Sequence, residues 1–179
     1  FFQKKNKLDF KQDEKITICD IGGGFGGLLR LLKNTYLNST CILVELPETC
    51  LLASYFLKKN FPDSKILLYS DFNKDVNYKD YDIVILPQNM IKNFEDKSID
   101  LVLNTSSLSE MKNETQDFYL SQIERVTKKY FYSVNRHKYK MHKYNAQGFY
   151  NLKFKKRWNT IIYDFTHTFQ LEFLGKVEE

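Results

Sequence analysis

No stretch of this 179-residue chain approaches the ~18 consecutive apolar residues that a membrane-spanning helix requires, so no span is expected. Cysteine is scarce as well. Cys19, Cys41 and Cys50 form an odd set without a C-x-x-C pair, each in or beside an apolar segment, which excludes a disulfide frame and a zinc site from the expectations. Reduced core cysteines point to the cytoplasm. The N-terminal residues lack the basic-then-apolar order of a secretory leader. No internal repeat is visible, and the charge excess of +5 permits acidic ligands without demanding nucleic acid. Asp71, Asp75, Glu110 and the histidines form no recognisable ligand spacing, so no metal is assigned.

A content of 42% hydrophobic and 27% charged residues fits one globular domain of this length, and residues 1–179 are read as such. The chain starts at Phe1 and enters a core strand by Ile16, as expected if a natural N-terminal region is missing. Strand-like runs at Lys15–Asp20 and Cys41–Glu45 alternate with helical spacing in Leu28, Leu29, Leu31 and Leu32, and then in Leu51, Leu52, Tyr55 and Phe56. Further strand-like runs are Lys65–Tyr69, Tyr81–Leu86 and Ile99–Leu103. Tyr119, Ile123, Val126 and Tyr130 mark a helix face that delivers a strand over Tyr130–Val134. This alternation predicts an α/β fold with a mostly parallel sheet. Trp158–Phe165 and Thr168–Leu174, with no helix between them, predict a C-terminal antiparallel hairpin. Residues 136–157, rich in Lys, Tyr and His, read as a basic loop or lid.

Only seven glycines are present, and five of them lie between positions 22 and 27. Asp20-Ile-Gly22-Gly23-Gly24-Phe25-Gly26 satisfies D-x-G-x-G-x-G between a strand and a helix, where Gly22, Gly24 and Gly26 can bring backbone N–H groups against a ligand. Gly22, Gly24 and Gly27 also satisfy G-x-G-x-x-G, so an NAD(P)-dependent oxidoreductase is a rival reading. The acid separates the two. A carboxylate at Asp20 is awkward beside a pyrophosphate and useful beside the ammonium of a bound amino acid such as methionine, directly or through water. Glu45 ends the next strand, where a carboxylate accepts ribose hydroxyls. For adenine, Gln88 is preferred over Asp71; each follows a strand-like run.

With Asp20–Gly26, Glu45-Leu-Pro47, Ser98-Ile-Asp100-Leu-Val and the terminal hairpin, the chain resembles class I, Rossmann-like S-adenosylmethionine methyltransferases over most of its length. Leu101–Met111 and Tyr130–Arg136 resemble more narrowly the sugar O-methyltransferases of bacterial surface-polysaccharide clusters. The resemblance implies a seven-stranded sheet with a reversed last hairpin, S-adenosylmethionine over the glycine turn, and a glycan or small-molecule acceptor at the ends of the later strands. The extra run at Lys65–Tyr69, or else that at Tyr81–Leu86, departs from that pattern.

Ligands gather beyond the carboxyl ends of parallel strands, which selects Asn104, Ser106, Ser107 and Glu110 after one strand and Asn135, Arg136 and His137 after another. Asn104 is assigned to the cofactor. Glu110 and His137 are the catalytic candidates. Glu110 also completes an S-x-x-E helix capping box with Ser107, the preferred reading of that spacing, and for His137 a solvated loop residue is the preferred reading. The basic and aromatic run 136–143, together with Lys153–Trp158, fits an acidic glycan, with Trp158 or a tyrosine stacking on a sugar, or a solvated lid. It also keeps open a nonenzymatic nucleic-acid-binding module.

Overall fold

A computed structural model describes residues 7–11, 13–73, 75–136, 154–155, 158–166 and 170–178. Apolar, β-branched runs form the central strands β1 (Thr17–Ile21), β2 (Thr40–Glu45), β3 (Ile66–Leu68), β4 (Ile83–Pro87), β5 (Ile99–Thr105) and β6 (Thr127–Arg136). β7 (Trp158–Phe165) and β8 (Gln170–Val177) close the sheet. The order is β3-β4-β2-β1-β5-β6-β8-β7, parallel from β3 to β6, with β8 antiparallel to both of its neighbours. Among the described residues the sheet thus has eight strands rather than seven, because the short β3 adds outside β4 at one edge.

Strands buried on both faces require cover on both. Helices α1 (Gly27–Thr35) and α2 (Pro47–Asn60) supply it on one side through Leu29, Leu32, Ala53 and Leu57, all fully buried against Ile18, Cys41 and Leu43. α3 (Asn113–Val126) supplies it on the other through Tyr119, Leu120, Ile123 and Val126, against Cys19, Ile42, Val44 and Val102. Each such leucine contributes roughly 2 kcal/mol by leaving water. No helix among the described residues is long and apolar enough to cross a membrane.

Two helical faces depart from their sequence patterns. In α2 the residues facing the sheet are Ala53 and Leu57, with Cys50 and Phe56 partly buried; Leu51, Leu52 and Tyr55 point outward. A helix apolar all round gives no periodic signal for which side the sheet selects. In α3 the helix ends at Val126 and Tyr130 belongs to β6, since Thr127 already starts the extended run. At the other end of the sheet Phe154 and Trp158 pack with Phe131 and Phe173, Phe154 lying parallel to Phe173 at 5.8 Å. Trp158 is therefore part of the packing rather than a platform for a sugar. Apart from Arg136, which ends β6, and Phe154 and Lys155, the expected lid over 136–157 lies outside the described residues.

Lys33 is buried in α1. Its ammonium donates to the carbonyls of Leu37 (3.0 Å) and Ser39 (2.7 Å) and pairs with Asp82 at 2.9 Å, tying the α1–β2 connection to the start of β4.

Candidate functional site

The chain leaves β1 for β2 on one side and later returns to β5 on the other, so β1 and β5 flank the point where strand order reverses. Ligands of open α/β sheets bind outside the strand ends at this point. A cavity of about 460 Å3 opens there, lined among others by Gly22, Glu45, Gln88, Ser107, Glu110 and Tyr119.

The turn above β1 is built from left-handed backbone: φ is 70° at Gly22, 60° at Gly24 and 88° at Gly26. These are the three positions of the D-x-G-x-G-x-G spacing; Gly27 instead opens α1. Gly22 has a second constraint, because a Cβ there would lie 2.2 Å from Ser107 Oγ. At Gly24 a Cβ would meet nothing within 4 Å, so the backbone faces open space beside the cavity.

Glu45 fastens this turn to β2. Its Oε2 accepts from the N–H of Gly24 and its Oε1 from the N–H of Leu46, both at 2.8 Å. A carboxylate has about four acceptor sites, so each oxygen keeps capacity for a hydroxyl donor.

Asp20 shows the opposite pattern. Strand alternation turns its side chain toward the α1 face, beneath the turn, where a Cβ on Gly23 would fall 2.4 Å from Oδ2. The carboxyl is fully buried, and neither oxygen has a hydrogen-bond partner. Burial first, and the Glu45 charge second, push its pKa up to about 7. Asp20 therefore underlies the cavity without lining it.

Asn104 likewise supports the floor. Its fully buried amide donates to Ile21 O (2.8 Å) and Ser107 Oγ (2.6 Å), and its oxygen accepts from Leu108 N–H (3.1 Å) and the Asn135 amide (2.9 Å). Asn135, also fully buried, donates to Ser133 Oγ and accepts from Ser109 N–H. This network locks the ends of β1, β5 and β6 together, and Asn104 acts on the cavity through Ser107.

Around the rim, Gln88 follows β4 and lines the cavity, whereas Asp71 follows the edge strand β3 and does not. Tyr119 donates to Gln88 O at 3.4 Å, and burial, then Glu45, push its pKa up to about 12. Glu110 pairs with Arg136 at 3.6 Å. The capping box does not form: Ser107 precedes only a 3-10 turn (Leu108–Glu110), its hydroxyl turns to Asn104 and Ile21, and α3 begins later at Asn113. Ser106, at φ 67°, receives a hydrogen bond from the Gln170 side chain at 3.0 Å. His137 lies outside the described residues.

Neither a family model nor a curated protein matches the sequence. Solved structures match throughout. A SAM-dependent methyltransferase from Aquifex aeolicus superposes with a TM-score of 0.66 at 14% identity, over 99% of this chain and 90% of that one. A Haloferax volcanii methyltransferase, described in complex with the Trm112 methyltransferase activator, gives 0.65 at 15% identity over 99% and 88%. A phosphoethanolamine N-methyltransferase from Haemonchus contortus, solved with S-adenosylhomocysteine, gives 0.52 at 16% identity; the aligned part is 75% of this chain and 27% of that one. The chain has the Rossmann-like fold of class I methyltransferases.

Within this methyltransferase fold the glycine turn, Glu45, Gln88, Ser107 and Glu110 converge on one cavity. Leu46, Met111, Thr115 and Tyr119, none of them expected at the site from the sequence, also line it. A signal was present for two of them: Thr115 and Tyr119 stand four residues apart in α3, a spacing that shares one helical face. Tyr119 had already been absorbed into the apolar pattern of α3.

Proposed function

We propose that this chain binds S-adenosylmethionine in the cavity at the β1–β5 switch point and transfers its methyl group to a hydroxyl oxygen. Glu45 carries the reading: a carboxylate anchored through both oxygens to backbone N–H groups, beside a turn left-handed at Gly22, Gly24 and Gly26. The residues fit the donor. Glu45 has spare acceptor capacity for ribose hydroxyls, Gln88 offers an amide at the far wall, and the unpartnered Asp20 carboxylate supplies negative potential beneath the turn for an ammonium group. When bound, the donor supplies a methyl group on a cationic sulfur, open to in-line displacement by an oxygen. The chain's own residues hold the reactants, exclude water and place the acceptor hydroxyl.

For the acceptor we favour a sugar, in a surface polysaccharide or its precursor. The rim past β5 and β6 is made of hydrogen-bonding groups, Ser106, Glu110, Arg136 and Gln170, which suit a polyol better than an apolar ring. Glu110, steadied by Arg136, accepts from an acceptor hydroxyl in this reading. Leu101–Met111 and Tyr130–Arg136, the segments that resemble sugar O-methyltransferases, lie side by side, the first as most of β5 with the turn after it and the second within β6.

Calorimetry with S-adenosylhomocysteine tests the donor site. Wild type should bind in the micromolar range, Glu45→Ala should lose binding while staying folded by circular dichroism, and NADH should give no heat. Binding of NADH alone, or of neither nucleotide by a folded chain, would refute the reading.

A further inference from the structure

Two returns of the chain leave a second cavity on the α3 face of the sheet. From β3 to β4, over 69–82, and from β4 to β5, over 88–98, the backbone runs back between parallel strands without an α-helix. It uses only the 3-10 turns Tyr69–Asp71, Tyr78–Asp80 and Gln88–Asn93, each too short to lay a continuous apolar face on the sheet. Between the two returns opens a cavity of about 720 Å3, against about 460 Å3 for the one at the switch point. The turn Gln88–Asn93 separates them: Gln88 lines the switch-point cavity, Met90 and Asn93 the other.

The floor of this second cavity is apolar. Phe72, Val76, Tyr78 and Met90 are half-buried and pack on the core beneath, and the Tyr78 ring is held edge-on against Phe94 at 5.0 Å. The margin is acidic. Asp75 and Glu95 are exposed there, and neither forms an ion pair among the described residues, whereas nearby Asp82 and Asp96 are answered by Lys33 and Arg125. Lys79 also lines the cavity, yet its ammonium lies over the Tyr78 ring, 5.8 Å from the centroid, rather than on either carboxylate. One cation of the chain is thus already drawn to the aromatic floor, at the long limit of such a contact.

We propose that this cavity binds a small organic cation with an apolar body, of the arylalkylamine class. The body covers Phe72, Val76 and Met90, the ammonium takes the place of the Lys79 ammonium at the Tyr78 ring, and Asp75 and Glu95 supply the opposite charge from the margin. An anion of the same shape would meet two carboxylates against one ammonium, and a neutral molecule would leave both carboxylates unanswered. A basic protein segment would use the acidic margin and leave the apolar floor uncovered. The proposal does not rest on the methyl-transfer reading.

The test is amide NMR of the whole chain titrated with phenethylammonium, its neutral counterpart phenethyl alcohol and its anionic counterpart hydrocinnamate. The ammonium should shift the amides of Phe72, Val76, Tyr78, Met90 and Asn93 and bind about tenfold more tightly than the alcohol, with hydrocinnamate weaker still. Asp75→Asn with Glu95→Gln should remove that preference. Lys79→Met, by vacating the Tyr78 ring, should strengthen ammonium binding about threefold, while Asp63→Asn, in the exposed turn after α2, should do neither. No shift at about 20 mM ammonium would overturn the proposal, as would equal affinity for the alcohol or shifts confined to residues of the switch-point cavity. Equal binding of a lysine-containing tripeptide would replace the small molecule with a basic protein segment, and saturation of the same amides by magnesium alone would replace it with a metal site.

Discussion

Replacing Asp20 by Asn tests the electrostatics under the glycine turn. The Asp20 carboxyl titrates near 7 in the folded chain against an ordinary 3.8. At a pH of about 3 or below it is largely neutral in folded and unfolded chains alike, and the acid costs the fold little more than its amide. As pH rises, the unfolded chain gives up this proton first while the folded chain keeps it, so wild-type stability falls until the folded pKa is passed. Some three pH units at ~1.4 kcal/mol each amount to roughly 4 kcal/mol at pH of about 8.

Urea unfolding of wild type and Asp20→Asn at pH near 4, 6 and 8 reads this directly, because all other groups titrate in both proteins and cancel in the difference. The variant should gain on wild type progressively, by roughly 2 kcal/mol near pH 6 and roughly 4 kcal/mol near pH 8, relative to their difference near pH 4. A difference that stays flat with pH would mean that the Asp20 carboxylate is ionised and solvated in the fold, and the argument from burial would fail.

If an ammonium group binds above Asp20, donor binding should expel about one proton near pH 6 and few near pH 8, measurable by calorimetry in buffers of different ionisation enthalpy. Gly22→Ala should cost about 3 kcal/mol in urea unfolding, since its Cβ meets Ser107 Oγ at a left-handed position; Gly24→Ala should cost only about 1 kcal/mol, the backbone strain alone. Lys33→Met should cost about 2 kcal/mol by the same assay, because Asp82 and two carbonyls lose a donor.

Much of the frame was legible because it follows from local rules. The glycine turn, the acid at the end of β2 and the C-terminal hairpin depend on short-range chemistry: positive φ, a strand end, two β-rich runs close together. What escaped depends on which neighbours the fold brings together. Leu51, Leu52 and Tyr55 carry the apolarity of a core face, yet the sheet takes up Ala53 and Leu57, and nothing within α2 distinguishes the two sides. Ser107 and Glu110 have the spacing of a cap, but the hydroxyl is claimed by Asn104, a partner set by β5 reaching the end of β1. Nothing in the helical pattern of Leu28, Leu29, Leu31 and Leu32 marks Lys33 for burial; Asp82 and the Ser39 carbonyl, brought in by β4 and the start of β2, close around it.

Asn104 and Asp20 show how position in the sheet divides labour among residues that look alike in sequence. Both are polar, fully buried and near strand ends at the switch point. Asn104 has hydrogen-bond partners at both ends of its amide, so it stabilises a fixed floor and has no unmet demand that a ligand would answer. Asp20 has none, and its charge is unfavourable until something cationic approaches. A buried polar group without a partner is retained against a standing cost in stability, which makes Asp20 rather than Asn104 the residue whose environment a bound ligand should change. The same logic accounts for the turn around it: left-handed backbone that only glycine adopts freely at Gly22, Gly24 and Gly26, an orphaned acid beneath them and an anchored Glu45 meet at one side of the cavity.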